Sequence, residues 1–277
     1  MAREQRVDII KAIEEKRGSK LITYILSDRE NIPPPMISDD AVRPIHEQLE
    51  IIGHTEKIDL FLYTRGGIVV SSFRIAKLIR EHCKTFSILV PFRAHSGGTQ
   101  ICLAADKIVM GALSELSPVD PRTANPFNPV DQRGRPIPIS VEDVTAYLEL
   151  ARERAGLVSE SSKLETFKIL TGQAPALALG NVGRVYDEIR LVVEELLSLH
   201  MDPKDQRAAI ESIKRALTGE YTHEHCITRD EAKRIGLPVE NPDSQLESLM
   251  TKLFADYERQ LRLREPFDAE SILAQQQ

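Results

Sequence analysis

The chain has 277 residues, of which 42% are hydrophobic and 28% are charged, and its formal net charge is −6. This length suits one or two domains, and the composition excludes a chain that is mainly disordered. Aromatic residues make up only 5% and there is no Trp, so stacking platforms for nucleic-acid bases are not expected. The acidic balance gives no general attraction to nucleic acid or to anionic lipid.

Cysteine usage and the N-terminal segment favour a cytoplasmic protein. The cysteines Cys83, Cys102 and Cys226 are far apart and form no CxxC or CxxH motif, so neither a disulfide framework nor a zinc site is predicted. The motifs HExxH, GxxxxGK[ST] and GxGxxG are absent, and we expect no metal and no cofactor. The N-terminus lacks the apolar stretch of a signal peptide, and no run approaches the ~18 apolar residues of a membrane anchor.

Hydrophobic periodicity predicts helices that alternate with strands up to residue 110. The predicted helices span residues 4–17, 39–51, 68–82 and 97–105. The predicted strands span residues 20–26, 58–63, 86–90 and 107–110. This alternation is typical of βαβ units that form a parallel sheet.

The pattern changes after residue 117. Six prolines make residues 118–138 an irregular loop, too long for a simple connector. Ser140 is expected to cap the first of the later helices, and Thr228 with Glu231 forms a capping box for another. The segment 244–262 carries an apolar stripe that suits either the core or a subunit contact. The remaining predicted helices span residues 140–155, 160–171, 181–200 and 203–217.

Two junctions between a strand and a helix carry the candidate chemistry: Thr64-Arg65-Gly66-Gly67 and Ala94-His95-Ser96-Gly97-Gly98. Both are expected at one edge of the sheet, where ligands gather beyond the carboxyl ends of parallel strands. A Ser at a helix N-terminus is exposed beside unpaired N–H donors, and the helix dipole there favours negative charge. Ser96 could therefore attack a carbonyl group. The structural alternative is that Ser96 only caps the helix and the glycines only form a tight turn.

These motifs resemble those of the Clp protease proteolytic subunit and the signal peptide peptidase A family, both of the Clp/crotonase fold. The resemblance is carried by IDLFLYTRGG (58–67), AHSGG (94–98), AADKIVMG (104–111) and ITRDEAKRIGL (227–237). Together with the N-terminal RVDIIKAIEEKRGSKLITYI, it makes the chain similar to the serine dehydrogenase proteinase family from about residue 5 to 240.

The resemblance implies an α/β fold, a Clp/crotonase-like spiral of βαβ units with a parallel sheet and a C-terminal helical portion. Residues 1–240 would form the peptidase domain, and residues 241–277 an amphipathic helix and tail for assembly. It implies a serine peptidase that works through an acyl-enzyme, with Ser96 as nucleophile and the backbone N–H groups of Gly67 and Gly97 as oxyanion hole. It also implies a homo-oligomer that acts on peptide or unfolded-protein substrates.

Several residues are candidates for the base and its carboxylate partner. In the Clp proteolytic subunit a His follows the Ser, and an Asp lies shortly before the final helix. Here Asp120 takes the first place, and His223, Glu224 and His225 take the second. The roles of His and Asp therefore look exchanged, an order for which the serine dehydrogenase proteinase family is known. The two histidines point to the same face of a strand, so alternation cannot separate them; His223 is preferred, and Glu224 could also orient the base.

A lysine is the rival base. The signal peptide peptidase A family uses a Ser–Lys dyad, and Lys163 or Lys168 could serve if it were buried, because a base lysine needs a lowered pKa. Leu164 and Phe167 near Lys163 could bury it in part.

Two other classes of function remain on the same fold: a crotonase-like enzyme that binds acyl-CoA, and a non-catalytic assembly protein.

Overall fold

The computed structural model describes residues 3–30, 32–33, 35–120, 122–123, 125–220, 222 and 225–268. Its strands are β1 (Lys20–Ile25), β2 (Thr55–Tyr63), β3 (Cys83–Val90), β4 (Arg93–Ala94), β5 (Lys107–Met110), β6 (Glu115–Leu116), β7 (Arg122–Thr123), β8 (Ile139–Ser140), β9 (Ile227–Thr228) and β10 (Val239–Glu240).

The helices cover the sheet and form most of the second half of the chain. They are α1 (Arg3–Arg17), α2 (Val42–Ile52), α3 (Val69–Glu81), α4 (Gly97–Cys102), α5 (Val141–Glu149), α6 (Glu160–Gln173), α7 (Ala176–Leu197), α8 (Pro203–Arg215), α9 (Arg229–Arg234) and α10 (Ser244–Gln260). The predicted elements up to residue 110 are all present, with ends shifted by a few residues. Among the helices of the described residues, none combines the length and the apolar character that crossing a bilayer requires.

A five-stranded parallel sheet lies at the centre, in the order β1-β2-β3-β5-β10. Helices connect its strands, as βαβ units require. The predicted α/β fold class is therefore confirmed. Because all five strands run the same way, the segments that follow β2 and β3 leave the sheet at the same edge.

A small second sheet extends this edge. Its order is β4-β6-β9, with β4 parallel and β9 antiparallel to β6. A bridge between Thr64 and Ala94 links β4 to the end of β2. One strand, β6, therefore separates β9 from β4, the strand that leads into Ser96.

The core has two apolar layers because successive side chains of β2 point to opposite faces of the sheet. Leu60 and Leu62 belong to the layer beneath α3, α7 and α8, whereas Phe61 and Tyr63 belong to the layer beneath α1 and α10. The predicted stripe of α10 packs into this second layer. Its buried members are Leu246 and Leu253, and its partly buried members are Leu249 and Tyr257.

A buried ion pair fixes α1 to the sheet. Asp59 in the middle of β2 is fully buried, and its carboxylate accepts hydrogen bonds from Arg17 at 2.8 and 3.3 Å and from Ser19 Oγ at 2.9 Å. Arg17 also donates to Glu240 on β10 at 3.0 Å. One guanidinium thus joins the end of α1 to both a central and an edge strand.

We predict that Asp59→Ala lowers the free energy of unfolding by about 3–5 kcal/mol, because the substitution leaves the Arg17 guanidinium buried without its partner. Urea denaturation measures the loss. The matched control is Glu56→Ala on the same strand, which removes an exposed pair with Lys84 and should cost less than ~1 kcal/mol. Equal losses in the two variants would contradict the role of the buried pair.

Candidate active site

The two glycine junctions lie against each other at the edge of the sheet, as predicted. Thr64 N–H donates to the carbonyl of Arg93 at 3.0 Å, and His95 N–H donates to the carbonyl of Thr64 at 3.1 Å. The backbone after β2 is thereby held parallel to the backbone that leads into Ser96.

Ser96 has a strained backbone at the start of α4. Its φ of 48° and ψ of −111° lie in a region that side chains other than Gly rarely adopt, at a cost of roughly 1–3 kcal/mol. The Ser96 side chain makes no capping hydrogen bond to the first turn of α4. The structural alternative, in which Ser96 serves only as an N-cap, is therefore not supported.

Gly66 and Gly97 allow a close backbone approach around Ser96. Gly66 has a φ of 117°, and a Cβ there would lie 2.7 Å from Ser96 Cβ and 3.2 Å from its Oγ. A Cβ on Gly97 would lie 3.0 Å from the backbone N of Gly67 and 2.5 Å from Ser72 Oγ. Larger residues would push the two junctions apart.

The same approach brings together the backbone N–H groups of Gly67 and Gly97. Within the part of the chain that the structure describes, neither N–H group makes a hydrogen bond. Gly97 begins α4, and the dipole of a helix adds partial positive charge at its N-terminus.

Ser117 and Thr99 hold the Ser96 segment in place. Ser96 N–H donates to Ser117 Oγ at 2.8 Å, and Ser117 Oγ donates to the carbonyl of Pro118 at 3.0 Å. Thr99 Oγ1 accepts from Ser117 N–H at 3.1 Å and donates to the carbonyl of Ala94 at 2.7 Å. Sequence reasoning missed this network, because its members follow two strands that pair only in the folded chain.

Glu115 contacts three polar side chains near Ser96. It accepts from Arg93 Nε at 2.8 Å and from Cys226 Sγ at 3.1 Å, and its Oε1 lies 3.1 Å from His95 Nε2. Burial opposes ionisation of Glu115, but the hydrogen bonds from Cys226 and Arg93 outweigh it and lower the pKa of Glu115. Burial also lowers the pKa of His95, and Arg93 is a charged donor to Glu115.

His225 is paired with the carboxylate of Glu231, which the sequence predicted to be part of a capping box with Thr228. Its Nε2 lies 3.0 Å from Glu231 Oε1, so the ring N–H donates to the carboxylate. The predicted capping box is not formed, because Thr228 caps α9 without a side-chain hydrogen bond. His223 and Glu224, the other candidates in this segment, lie outside the described residues.

Asp120 is buried in the segment after β6, with 4% of its surface exposed. Part of the predicted irregular loop is a hairpin of β7 and β8, and it brings Ser140 to Asp120 Oδ2 at 3.2 Å. Ser140 Oγ also accepts from Asp143 N–H at 3.1 Å, which confirms its predicted cap of α5. Burial raises the pKa of the neighbouring Glu142 to about 8, with further contributions from the charges of Asp120 and Asp143.

The lysine alternative lacks the burial that it needs. Lys163 is 55% exposed and its Nζ lies 3.0 Å from Glu160, while Lys168 is 61% exposed and pairs with Glu165. Lys163 instead lies at the rim of an apolar cavity of about 640 Å³ between α5 and α6.

Comparison with known proteins points to one family. The family model for ClpP-like SDH-type serine proteinases matches residues 1–130. This stretch includes both glycine junctions and Asp120 and ends before His223 and His225. An uncharacterized protein of Methanocaldococcus jannaschii is 30% identical over 252 residues, covering 88% of this chain and 77% of that protein. A second uncharacterized protein of the same organism is 25% identical over 240 residues, covering 85% and 71%.

Two solved structures match most of this chain at low sequence identity. The 1510-N membrane-bound stomatin-specific protease matches with a TM-score of 0.47 at 14% identity, covering 83% of this chain and 81% of that one. ClpP1 from Listeria monocytogenes matches with a TM-score of 0.43 at 13% identity, covering 85% of this chain and 97% of that one.

We predict that Ser117→Ala lowers the free energy of unfolding by about 1 kcal/mol, because Ser96 N–H loses Ser117 Oγ, its hydrogen-bond acceptor. Urea denaturation measures the change. Ser161→Ala, an exposed serine on α6, is the matched control and should change stability by less than ~0.5 kcal/mol. A Ser117→Ala protein as stable as the wild type would show that the hydroxyl does not support the Ser96 segment.

Proposed function

Because the chain belongs to the family of ClpP-like, SDH-type serine proteinases, we propose that it is a serine peptidase with Ser96 as nucleophile. The observation that carries this proposal is the strained backbone of Ser96 at the start of α4, with a hydroxyl that caps nothing. Strain of this kind clusters at functional sites, because the surrounding structure must hold it in place. The family also favours a hydrolase over a scaffold.

In the proposed reaction a base takes the Ser96 proton while Oγ attacks the substrate carbonyl. The oxyanion is held by the N–H groups of Gly67 and Gly97, which the close approach of the two junctions supports. The same base then returns its proton to the leaving amine, and water releases the acyl-enzyme. No metal or cofactor takes part in this scheme.

We assign the base to His223 or His225 and the orienting carboxylate to Asp120. His225 has support from its contact with Glu231, which fixes the ring and would stabilise the imidazolium form. Asp120 has support from its burial and from its position shortly after β6, the strand that pairs with β9. A triad is defined by geometry and roles, so the chain order Ser, Asp, His is admissible.

The substrate class that we propose is peptide or unfolded protein, cleaved by a cytoplasmic homo-oligomer. Exposed apolar side chains on α5 and α6 support assembly, since a patch of this kind is typical of a contact surface. They include Leu148, Leu164, Phe167 and Ile169.

We predict that a fluorophosphonate probe labels the wild-type chain and that Ser96→Ala abolishes the labelling, because the probe forms its bond to an activated serine. Gel fluorescence and mass spectrometry of the modified peptide measure it. Ser161→Ala, on the exposed face of α6, is the control and should be labelled like the wild type. An unlabelled wild type, or equal labelling of Ser96→Ala, would refute the nucleophile. A rise of melting temperature with coenzyme A would then favour the crotonase-like alternative.

The base is identified by comparing His223→Gln with His225→Gln. Loss of the base should slow probe labelling by about 10²–10⁴-fold, whereas loss of the other histidine should leave the rate nearly unchanged. Glu231→Gln separates the two cases further, since it should slow labelling only if His225 is the base. If both histidine variants react like the wild type, neither ring is the base.

A further inference from the structure

A carboxylate outside both glycine junctions binds donors from each side of the proposed active site. Asp28 lies shortly after β1, and only 10% of its side chain is exposed. Its Oδ2 accepts from the Tyr63 hydroxyl at 2.7 Å and from Arg65 Nε and Arg93 Nη1 at 3.3 Å each. One oxygen of Asp28 thus contacts the end of β2, the first glycine junction (64–67) and the strand that leads into Ser96.

Arg93 donates hydrogen bonds to two carboxylates from one guanidinium group. Its Nη1 binds Asp28, and its Nε donates to Glu115 Oε1 at 2.8 Å. The guanidinium lies over the Phe92 ring, with its central carbon 4.1 Å from the ring centroid, and this contact adds a cation–π interaction. A planar guanidinium can bridge two acceptors in fixed directions, whereas a lysine ammonium is a single charge on a flexible stem.

Glu115 extends these contacts to the third strand of the small sheet. It is the register partner of Arg93 in the β4–β6 pair, and its Oε2 accepts from Cys226 Sγ at 3.1 Å. Cys226 directly follows His225, one of the two proposed bases, and directly precedes β9. Side chains therefore connect the first glycine junction, the strand before Ser96 and the segment that carries His225.

The backbone contacts beside this bridge are those that hold the two junctions together. Thr64 N–H donates to the carbonyl of Arg93, and His95 N–H donates to the carbonyl of Thr64. Because β4 has only two residues, few backbone hydrogen bonds hold it in place. The side chain of Arg93 adds contacts on both sides of this short strand, to Asp28 on one side and to Glu115 on the other.

We propose that Arg93 is a positioning residue, which bridges Asp28 and Glu115 and thereby fixes the Ser96 segment between the first glycine junction and the segment that carries His225. This inference rests on the proposed function, in which Ser96 is the nucleophile. Arg93 acts through the backbone of the strand that leads into Ser96. Displacing a reacting group by ~1 Å can slow a reaction by about 10²-fold, so loss of the bridge should slow the attack of Ser96.

Saturation kinetics with the fluorophosphonate probe test the bridge, because they separate the limiting rate of labelling from the half-saturating probe concentration. Arg93→Gln should lower the limiting rate by about 10–100-fold and leave the half-saturating concentration nearly unchanged. Arg93→Lys keeps the charge but cannot bridge both carboxylates, so it should be slowed almost as much. Arg6→Gln is the matched control and should keep the wild-type rate, since it removes a similarly shielded ion pair with Asp256, between α1 and α10.

A second measurement does not need activity: amide hydrogen exchange of the Ser96→Ala chain, with and without Arg93→Gln, followed by mass spectrometry. Exchange should become faster in peptides that contain the N–H groups of Thr64 and His95, whose hydrogen bonds join the two junctions. Exchange in α10 should stay unchanged. Arg6→Gln should show the opposite pattern, with faster exchange in α10 and none at the junctions.

Three results would overturn the proposal: an Arg93→Gln protein with the limiting rate of the wild type, full rescue by Arg93→Lys, or unchanged exchange at the two junctions. Full rescue would show that charge alone is needed and that the bridge is not. The two measurements also separate the failures. If the wild type is unlabelled, the nucleophile proposal fails, and hydrogen exchange alone decides whether Arg93 fixes the segment of residue 96.

Discussion

Contact between two backbones, at the junctions that follow β2 and β4, is the constraint on which the site depends. A side chain at either glycine would prevent this contact. A Cβ on Gly66 would lie 2.7 Å from Ser96 Cβ, and a Cβ on Gly97 would lie 3.0 Å from the backbone N of Gly67. The contact is tied to two features of the site: the strained φ of Ser96 and the close approach of Gly97 to the backbone N of Gly67. Each depends on a parallel sheet, because only there do consecutive strands end at one edge.

Holding a strained residue requires rigid surroundings, and the rest of the fold supplies them. Thr99 and Ser117 fix the Ser96 segment through hydrogen bonds to its backbone. The central strands are covered on both faces, and α1 is fixed by the buried Asp59–Arg17 pair. The cost of strain at Ser96, roughly 1–3 kcal/mol, is small beside such packing and can be borne without local disorder.

Sequence patterns predicted the strands, helices and tight turns, which depend on local residues. They failed for side-chain contacts and burial that depend on residues elsewhere in the chain. The elements up to residue 110 and the two glycine junctions could be predicted because strands and tight turns have characteristic local sequence patterns. Thr228 and Glu231 have the spacing of a capping box, but His225, six residues before Glu231, binds the carboxylate instead. Lys163 was expected to be shielded by Leu164 and Phe167, yet these are themselves 57% and 50% exposed, so α6 buries a different face.

The second sheet would permit the proposed exchange of His and Asp along the chain. Leu116 on β6 is paired antiparallel with Ile227 on β9, so the chain that leaves β6 starts beside the chain that enters β9. A histidine in one of these segments and a carboxylate in the other can trade places and still face each other across the pair of strands. Their order in the sequence reverses, whereas their separation in space depends only on the register. An antiparallel β6–β9 pair is thus compatible with either order of the proposed triad.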